Sequence, residues 1–188
     1  MLVIGDIHGK LEIVKKVLDL PGRKLFIGDI LDSYDRKPNE QIECLERILS
    51  DNDTDLMMGN YKASYIYGNQ MRASGFNALT FTLIIPFLSR LQRKAIWHFP
   101  IREYGILITH AGISRCLTGD LSQHEIFDMV DSWAFRPHES PFFQIGKARG
   151  GNYKTGGPLW CDWNTEFQPI QGLRQIVGHT AVPSIVPG

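Results

Sequence analysis

Three stretches decide the fold: Leu2-Val3-Ile4-Gly5-Asp6-Ile7-His8-Gly9, Leu25-Phe26-Ile27-Gly28-Asp29-Ile30-Leu31-Asp32 and Leu56-Met57-Met58-Gly59-Asn60. Each opens on a short apolar run and stops at a glycine followed by an acid or an amide. Such a run, bounded by turn residues, reads as a buried strand. Between the first two, apolar residues at 11, 13, 14, 17 and 18 share one helical face, closed by Pro21-Gly22. Between the second and third, Pro38 can open a helix whose apolar stripe is Ile42, Leu45, Ile48 and Leu49. The β-α-β-α-β order predicts parallel strands at 2–4, 25–27 and 56–58 with right-handed crossovers.

Outward from this core, residues 61–95 read as mostly helical, with Pro86 as a breaker. Residues 95–99 and 104–109 read as paired strands joined by a turn at 100–103. Ser122-Gln123-His124-Glu125 is a capping box that opens a helix to about Trp133. Residues 137–158 form a loop rich in Gly and Pro, a length that is usually functional or mobile. Residues 174–177 are the last clear strand.

The chain of 188 residues is expected to be one domain, 1–188, large enough for a sizeable core. It is 43% hydrophobic and 21% charged, which is ordinary for a globular protein. Twenty basic and twenty acidic residues cancel, so no broad field draws in nucleic acid or an anionic membrane. Three cysteines without metal-type spacing make no disulfide framework, and a reducing cytoplasm is the expected setting. No charged leader precedes the first strand. The longest apolar stretch, 81–88, is too short to span a bilayer, so no membrane association is expected.

Ligands bind outside the carboxyl ends of strands in open α/β sheets. Asp6, Asp29 and Asn60 lie just past three strand ends, and His8 lies two residues beyond Asp6. His110-Ala111-Gly112 follows the strand at 104–109, and Gly178-His179-Thr180 follows that at 174–177. Any one of these is unremarkable alone: Gly-Asp is usually a turn, and a histidine after a strand is usually structural. Together they offer six oxygen or imidazole ligands. Two ions about 3.5–4 Å apart, bridged by a carboxylate, can clamp an in-line displacement at phosphorus. Asp, His and Asn without thiolate suit Mn, Fe or Zn better than Ca or Mg.

On these motifs the chain resembles the calcineurin-like metallophosphoesterases over nearly its whole length. It is similar in particular to the small bacterial and bacteriophage Ser/Thr-type phosphatases and the diadenosine tetraphosphate hydrolases. The resemblance implies an α/β fold, a two-sheet α/β/β/α sandwich. It implies that Asp6 and His8 bind a first divalent metal, that Asp29 bridges, and that Asn60, His110 and His179 bind a second. It also implies direct attack on phosphorus by a metal-bound hydroxide, without a phosphoenzyme.

The chain departs from the family pattern in three places. Tyr61-Lys62 stands where the family has His and an acid, the pair that serves the leaving oxygen. A phenol, with a pKa near 10, donates a hydrogen bond but protonates poorly near neutrality. Losing a positioned general acid typically costs about 10²–10⁴-fold in rate. Lys62 could supply charge to the leaving oxygen, but a solvated side chain is the expectation. Ser33 follows Asp32 where the family's phosphate-gripping arginine stands, and Arg36 appears later, either reaching substrate from a longer loop or staying on the surface. Arg149, in the glycine-rich loop, is the other candidate for holding phosphate, or anchors its own loop. Asp32 is suited to accept a hydrogen bond from a metal-bound histidine. Trp160-Cys161-Asp162 resembles a structural segment of the phosphatase branch, and His98, His124 and His138 match no ligand. Third, only nine residues follow His179, so the second sheet is expected to lack C-terminal strands and to carry an open edge suited to dimer pairing.

The leading reading is a dinuclear metal-dependent phosphoesterase acting on phosphomonoesters, phosphoprotein first, with turnover reduced by Tyr61-Lys62. The alternatives are a metal-binding pseudoenzyme or partner-binding module, and a hydrolase of dinucleoside polyphosphates or cyclic nucleotides.

Overall fold

The three apolar runs form the parallel strands that their order requires. In the computed structural model, which describes residues 1–68, 73 and 76–182, they are β1 (Leu2–Ile4), β2 (Lys24–Phe26) and β3 (Thr54–Met57). Helices α1 (Leu11–Leu18) and α2 (Pro38–Ser50) make the crossovers. A fourth strand, β4 (Ala95–Ile96), joins parallel to β3, so the sheet order is β1-β2-β3-β4. These elements belong to the first of two compact units, Met1–Ile96; the second is Trp97–Gly188.

In the first unit the expected stripe on α2 is buried at Leu45, Ile48 and Leu49 and partly buried at Ile42; Cys44, outside that stripe, joins them with Val14 of α1, Phe26 and Leu56 in one core. Fully burying a side chain of this size is worth about 1.5–3 kcal/mol, enough to fix which face of α2 meets the sheet. The helical stretch after β3 resolves into α3 (Asn60–Ile66), α4 (Ala78–Ile84) and α5 (Leu88–Lys94). Pro86 breaks it as expected, in a 3₁₀ turn at Ile85–Phe87. The expected helicity at 69–72, 74 and 75 lies outside the described residues.

One expected element divides in two. The strand at 95–99 is β4 in the first sheet and then a separate strand, β5 (Phe99–Ile101), in the second. The apolar run hides the division because both pieces are half-buried and equally hydrophobic. β5 pairs antiparallel with β6 (Ile106–Ile108), and the turn moves to Arg102–Gly105, where Gly105 takes a left-handed φ of 59°. Pro100 sits within β5, on the outer position of that sheet, where a missing N–H is tolerated.

The second unit continues with α6 (Arg115–Thr118) and α7 (Gln123–Phe135), then β7 (Arg174–Ile176) parallel to β6. The capping box forms: Ser122 N donates to Glu125 Oε2 at 2.8 Å, and the Ser122 hydroxyl accepts from Glu125 N. The order β5-β6-β7 leaves β7 outermost among the described residues. The expected shortage of further strands concerns 183–188, which lie outside them. The chain is thus mixed α/β with one parallel and one mixed sheet, as expected. Among the described residues no helix is long and apolar enough to cross a membrane.

Two buried acids organise the long loops. In the second unit, Glu166 is 7% exposed and accepts from the backbone N–H of Ala148 (2.9 Å) and Gly156 (2.8 Å). A Cβ on Gly146 would lie 2.2 Å from its carboxylate oxygens, so only glycine lets the loop close on this acid. In the first unit, Asp32 accepts from the Tyr65 hydroxyl, and its own N–H donates to Gln41 Oε1 at 2.6 Å. Gln41 also donates to the Arg36 carbonyl at 2.9 Å, so α2 grips the loop after β2 at both ends. Burial, opposed by the Tyr65 hydrogen bond, pushes the Asp32 carboxyl up to about 7.

Glu166→Ala strands buried N–H donors and is expected to destabilise the protein by about 2–4 kcal/mol, read from the urea midpoint. Asp32 adds a pH dependence. Between its unfolded pKa of 3.8 and about 7, the folded chain keeps a proton that the unfolded chain has released. Stability of the chelator-treated protein should therefore fall as pH rises through this window, and Asp32→Asn should remove Asp32's share of the slope.

Candidate metal centre

Two loops of the first unit are zipped together at the strand ends. Ile7 and His8 both donate their N–H to the Asp29 carbonyl, at 2.8 and 3.0 Å, and Gly9 N donates to the Ile30 carbonyl at 2.7 Å. In return, Asp29 N donates to Asp6 Oδ1 at 3.1 Å. The approach is so close that a Cβ on Gly28 would lie 1.5 Å from Asp6 Oδ1. This is the physical reason for glycine before Asp29. His8 itself is held at a positive φ of 45°, and Asp32 at 61°. Such conformations are costly for residues with a Cβ and gather where the surroundings over-determine them.

The result is a cluster. Asp6, His8 and Asp29 each present a ligand atom, and these atoms all lie within 4.8 Å of one another. His8 Nδ1 lies 2.9 Å from the Leu31 carbonyl, a donor's partner, which leaves the lone pair on Nε2. The acceptor that orients His8 is thus a backbone carbonyl next to Asp32, while the Asp32 carboxylate takes the Tyr65 hydroxyl. Asn60, buried, is the first residue of α3. Tyr61 N donates to Asp29 Oδ1 at 3.2 Å, and the Tyr61 ring stands edge-on to His8 at 5.7 Å. The Asp29 side chain therefore sits where β2 and the start of α3 meet.

Lys62 corrects the sequence reading. The expected solvated lysine is fully buried, and its Nζ donates to the Gly28 carbonyl. Burial raises the Asp29 pKa and lowers that of Lys62, and the attraction between the two opposes both shifts. Hydropathy scores Lys as an outward residue, so the pattern 62, 65, 66 on one face of α3 gave only a faint signal.

In the second unit, His110 and His179 meet directly. Gly178 N donates to the His110 carbonyl at 2.8 Å, and His110 Nε2 lies 3.1 Å from His179 Nδ1. His179 has a φ of 67°. Arg149 donates to Thr180 Oγ1 at 3.1 Å and pairs with Asp162 at 2.9 Å. It therefore anchors the loop that carries His179. Arg36, in the first unit, pairs with Glu12 of α1 at 3.1 Å. Trp160 and Cys161 are buried, His98 pairs with Asp131 at 2.6 Å, His124 with Asp128 at 3.0 Å, and His138 stacks on Phe143. Sequence reasoning missed the burial of Lys62 and the parts played by the buried Gln41, Tyr65 and Glu166. Gln41 and Tyr65 fall on helical faces otherwise apolar, which is the one pattern that marks them.

The donors fit divalent ions. In the first unit two carboxylates and an imidazole converge, a hard to borderline set. In the second, an ion with bonds of about 2.1 Å and angles near 90–110° would set two imidazole nitrogens roughly 3.0–3.4 Å apart, and His110 and His179 have that spacing.

Comparison with known proteins agrees with this chemistry. No curated protein matches the chain. The family model described as calcineurin-like phosphoesterase matches residues 1–183. A match over nearly every residue, together with acids and histidines placed at the strand ends, shows that the chain belongs to the calcineurin-like phosphoesterase family.

Proposed function

We propose that the chain is a dinuclear metal-dependent phosphoesterase that hydrolyses phosphomonoesters, with phosphoprotein as first substrate, and that residues 1–188 act as one metallophosphoesterase domain. The observation that carries this reading is the convergence of Asp6, His8 and Asp29 at two adjacent parallel strand ends, in a chain of this family. In this reading Asp6 and His8 would hold one ion, Asn60, His110 and His179 would hold the other, and Asp29 would serve both. Mn, Fe or Zn suit these donors. Bound there, such ions would supply Lewis-acid polarisation of a phosphoryl oxygen and activation of a water.

The chain's own groups do the rest. The Tyr61 hydroxyl donates a hydrogen bond to the leaving oxygen in place of a histidine. Arg36 and Arg149 are the candidate phosphate grips, although each already has a carboxylate partner, Glu12 and Asp162. Turnover is therefore reduced relative to a site with a titrating imidazole. A reducing cytoplasm is the setting proposed for a chain whose three cysteines lack disulfide or metal-type spacing.

A second reading is a metal-binding pseudoenzyme. It is favoured by the same commitments of Arg36 and Arg149 and by the burial of Lys62 where the family has an acid.

The metal-loaded protein should release phosphate from p-nitrophenyl phosphate or a phosphopeptide with stimulation by manganese. Absence of turnover on a panel of phosphoesters, with metal bound, rejects the enzyme in favour of the pseudoenzyme. At saturating metal, Tyr61→His should raise kcat on alkyl phosphoesters by about 10²-fold. Phosphoanhydrides, whose leaving group needs less protonation, should gain far less from the same change; equal gains would argue against Tyr61 serving the leaving group.

A further inference from the structure

Lys62 is fully buried and lies one residue past Tyr61, whose N–H binds Asp29. Lysines are almost never fully buried unless paired. This one spends a hydrogen bond on the Gly28 carbonyl, at the glycine wedged against Asp6. Asp29 follows Gly28 directly, and its N–H donates to Asp6 Oδ1 at 3.1 Å, so the ammonium and both acids meet around one peptide. Asp6, His8 and Asp29 bring two carboxyl groups within 4.8 Å of one imidazole, and holding carboxylate charge together away from water is costly unless a cation offsets it.

We propose that Lys62 is a built-in cation of the metal site: its ammonium, held on the Gly28 carbonyl in the field of Asp29 and Asp6, stabilises the metal-free site and weakens binding of a divalent ion at Asp6, His8 and Asp29. The inference rests on the reading of these three residues as ligands. Its logic is electrostatic. An arriving ion gains from the carboxylates but is repelled by a positive charge fixed on the neighbouring Gly28 carbonyl in a poorly screened interior. A neutral residue at 62 removes the repulsion and, in the same step, leaves the empty cluster uncompensated. The two effects share a sign: the protein comes to depend on the metal more. The lysine also fixes geometry, because the carbonyl it grips belongs to the peptide that leads into Asp29.

The test compares the chelator-treated wild type with Lys62→Gln, which keeps an N–H donor for Gly28 without charge, and Lys62→Met, which keeps the length alone. Each is titrated with MnCl2 by calorimetry, and Tm is followed with and without Mn²⁺. Lys62→Gln should bind Mn²⁺ at least about tenfold more tightly than wild type. It should melt lower than wild type without metal and show the larger rise in Tm with it. If a variant does not fold without metal, Mn²⁺ must restore the fold; failure of both variants to fold with Mn²⁺ overturns the proposal. Equal affinities and equal Tm rises in all three proteins also overturn it, while leaving the metal site itself standing. Absence of Mn²⁺ binding by wild type and variants alike rejects the ligand reading, and with it the proposal.

Discussion

The structure of the first unit depends on one close contact, the meeting of the loop after β1 with the loop after β2. Two N–H groups converge on the Asp29 carbonyl, and the Asp29 N–H returns to the Asp6 carboxylate. Nothing bulkier than hydrogen fits on Gly28 between them. The contact places two acids and a histidine together before any ion arrives. The helices behind it serve the same end: α2 holds the second loop through Gln41, and α3 places the Tyr61 N–H on the Asp29 carboxylate and its buried lysine on the Gly28 carbonyl beside it. Side chains preorganised in this way lose little entropy on binding.

The second unit solves a parallel problem with different means. The loop that carries His179 is pinned by Arg149 through Thr180, and the loop that carries Arg149 is pinned by Glu166. An acid inside holds an arginine near the surface, which holds a histidine. Charged residues here act as scaffolding for loops that have no sheet or long helix to support them. This division of labour explains why so many short 3₁₀ turns between 137 and 149 are tolerated.

Much of this was legible in the sequence because strands and crossover helices announce themselves by period. Leu2–Ile4, Leu11–Leu18 and the opening of α2 at Pro38 agree with their patterns, as does the capping box at Ser122. The acids and histidines past the strand ends were legible for the same reason, since the strands locate them. The division of 95–101 between two sheets was not, because hydropathy does not say which neighbour a strand will take. Nor was the burial of Lys62, since a charge goes inside only when opposite charges from other segments meet it there. Asp6, Asp29 and Lys62 are far apart along the chain, and composition cannot add their fields.

The left-handed backbone at His8 and His179 has a consequence for how this site tolerates change. Branched and bulky residues are excluded at such angles, whereas Asn, Asp and Gly are readily accepted. The substitutes that leave the loops undisturbed at positions 8 and 179 are therefore few, and two of the three carry a side-chain oxygen. The fold therefore limits which side chains can stand just past these two strand ends before any demand of chemistry is made, and His8 and His179 stand there within that limit.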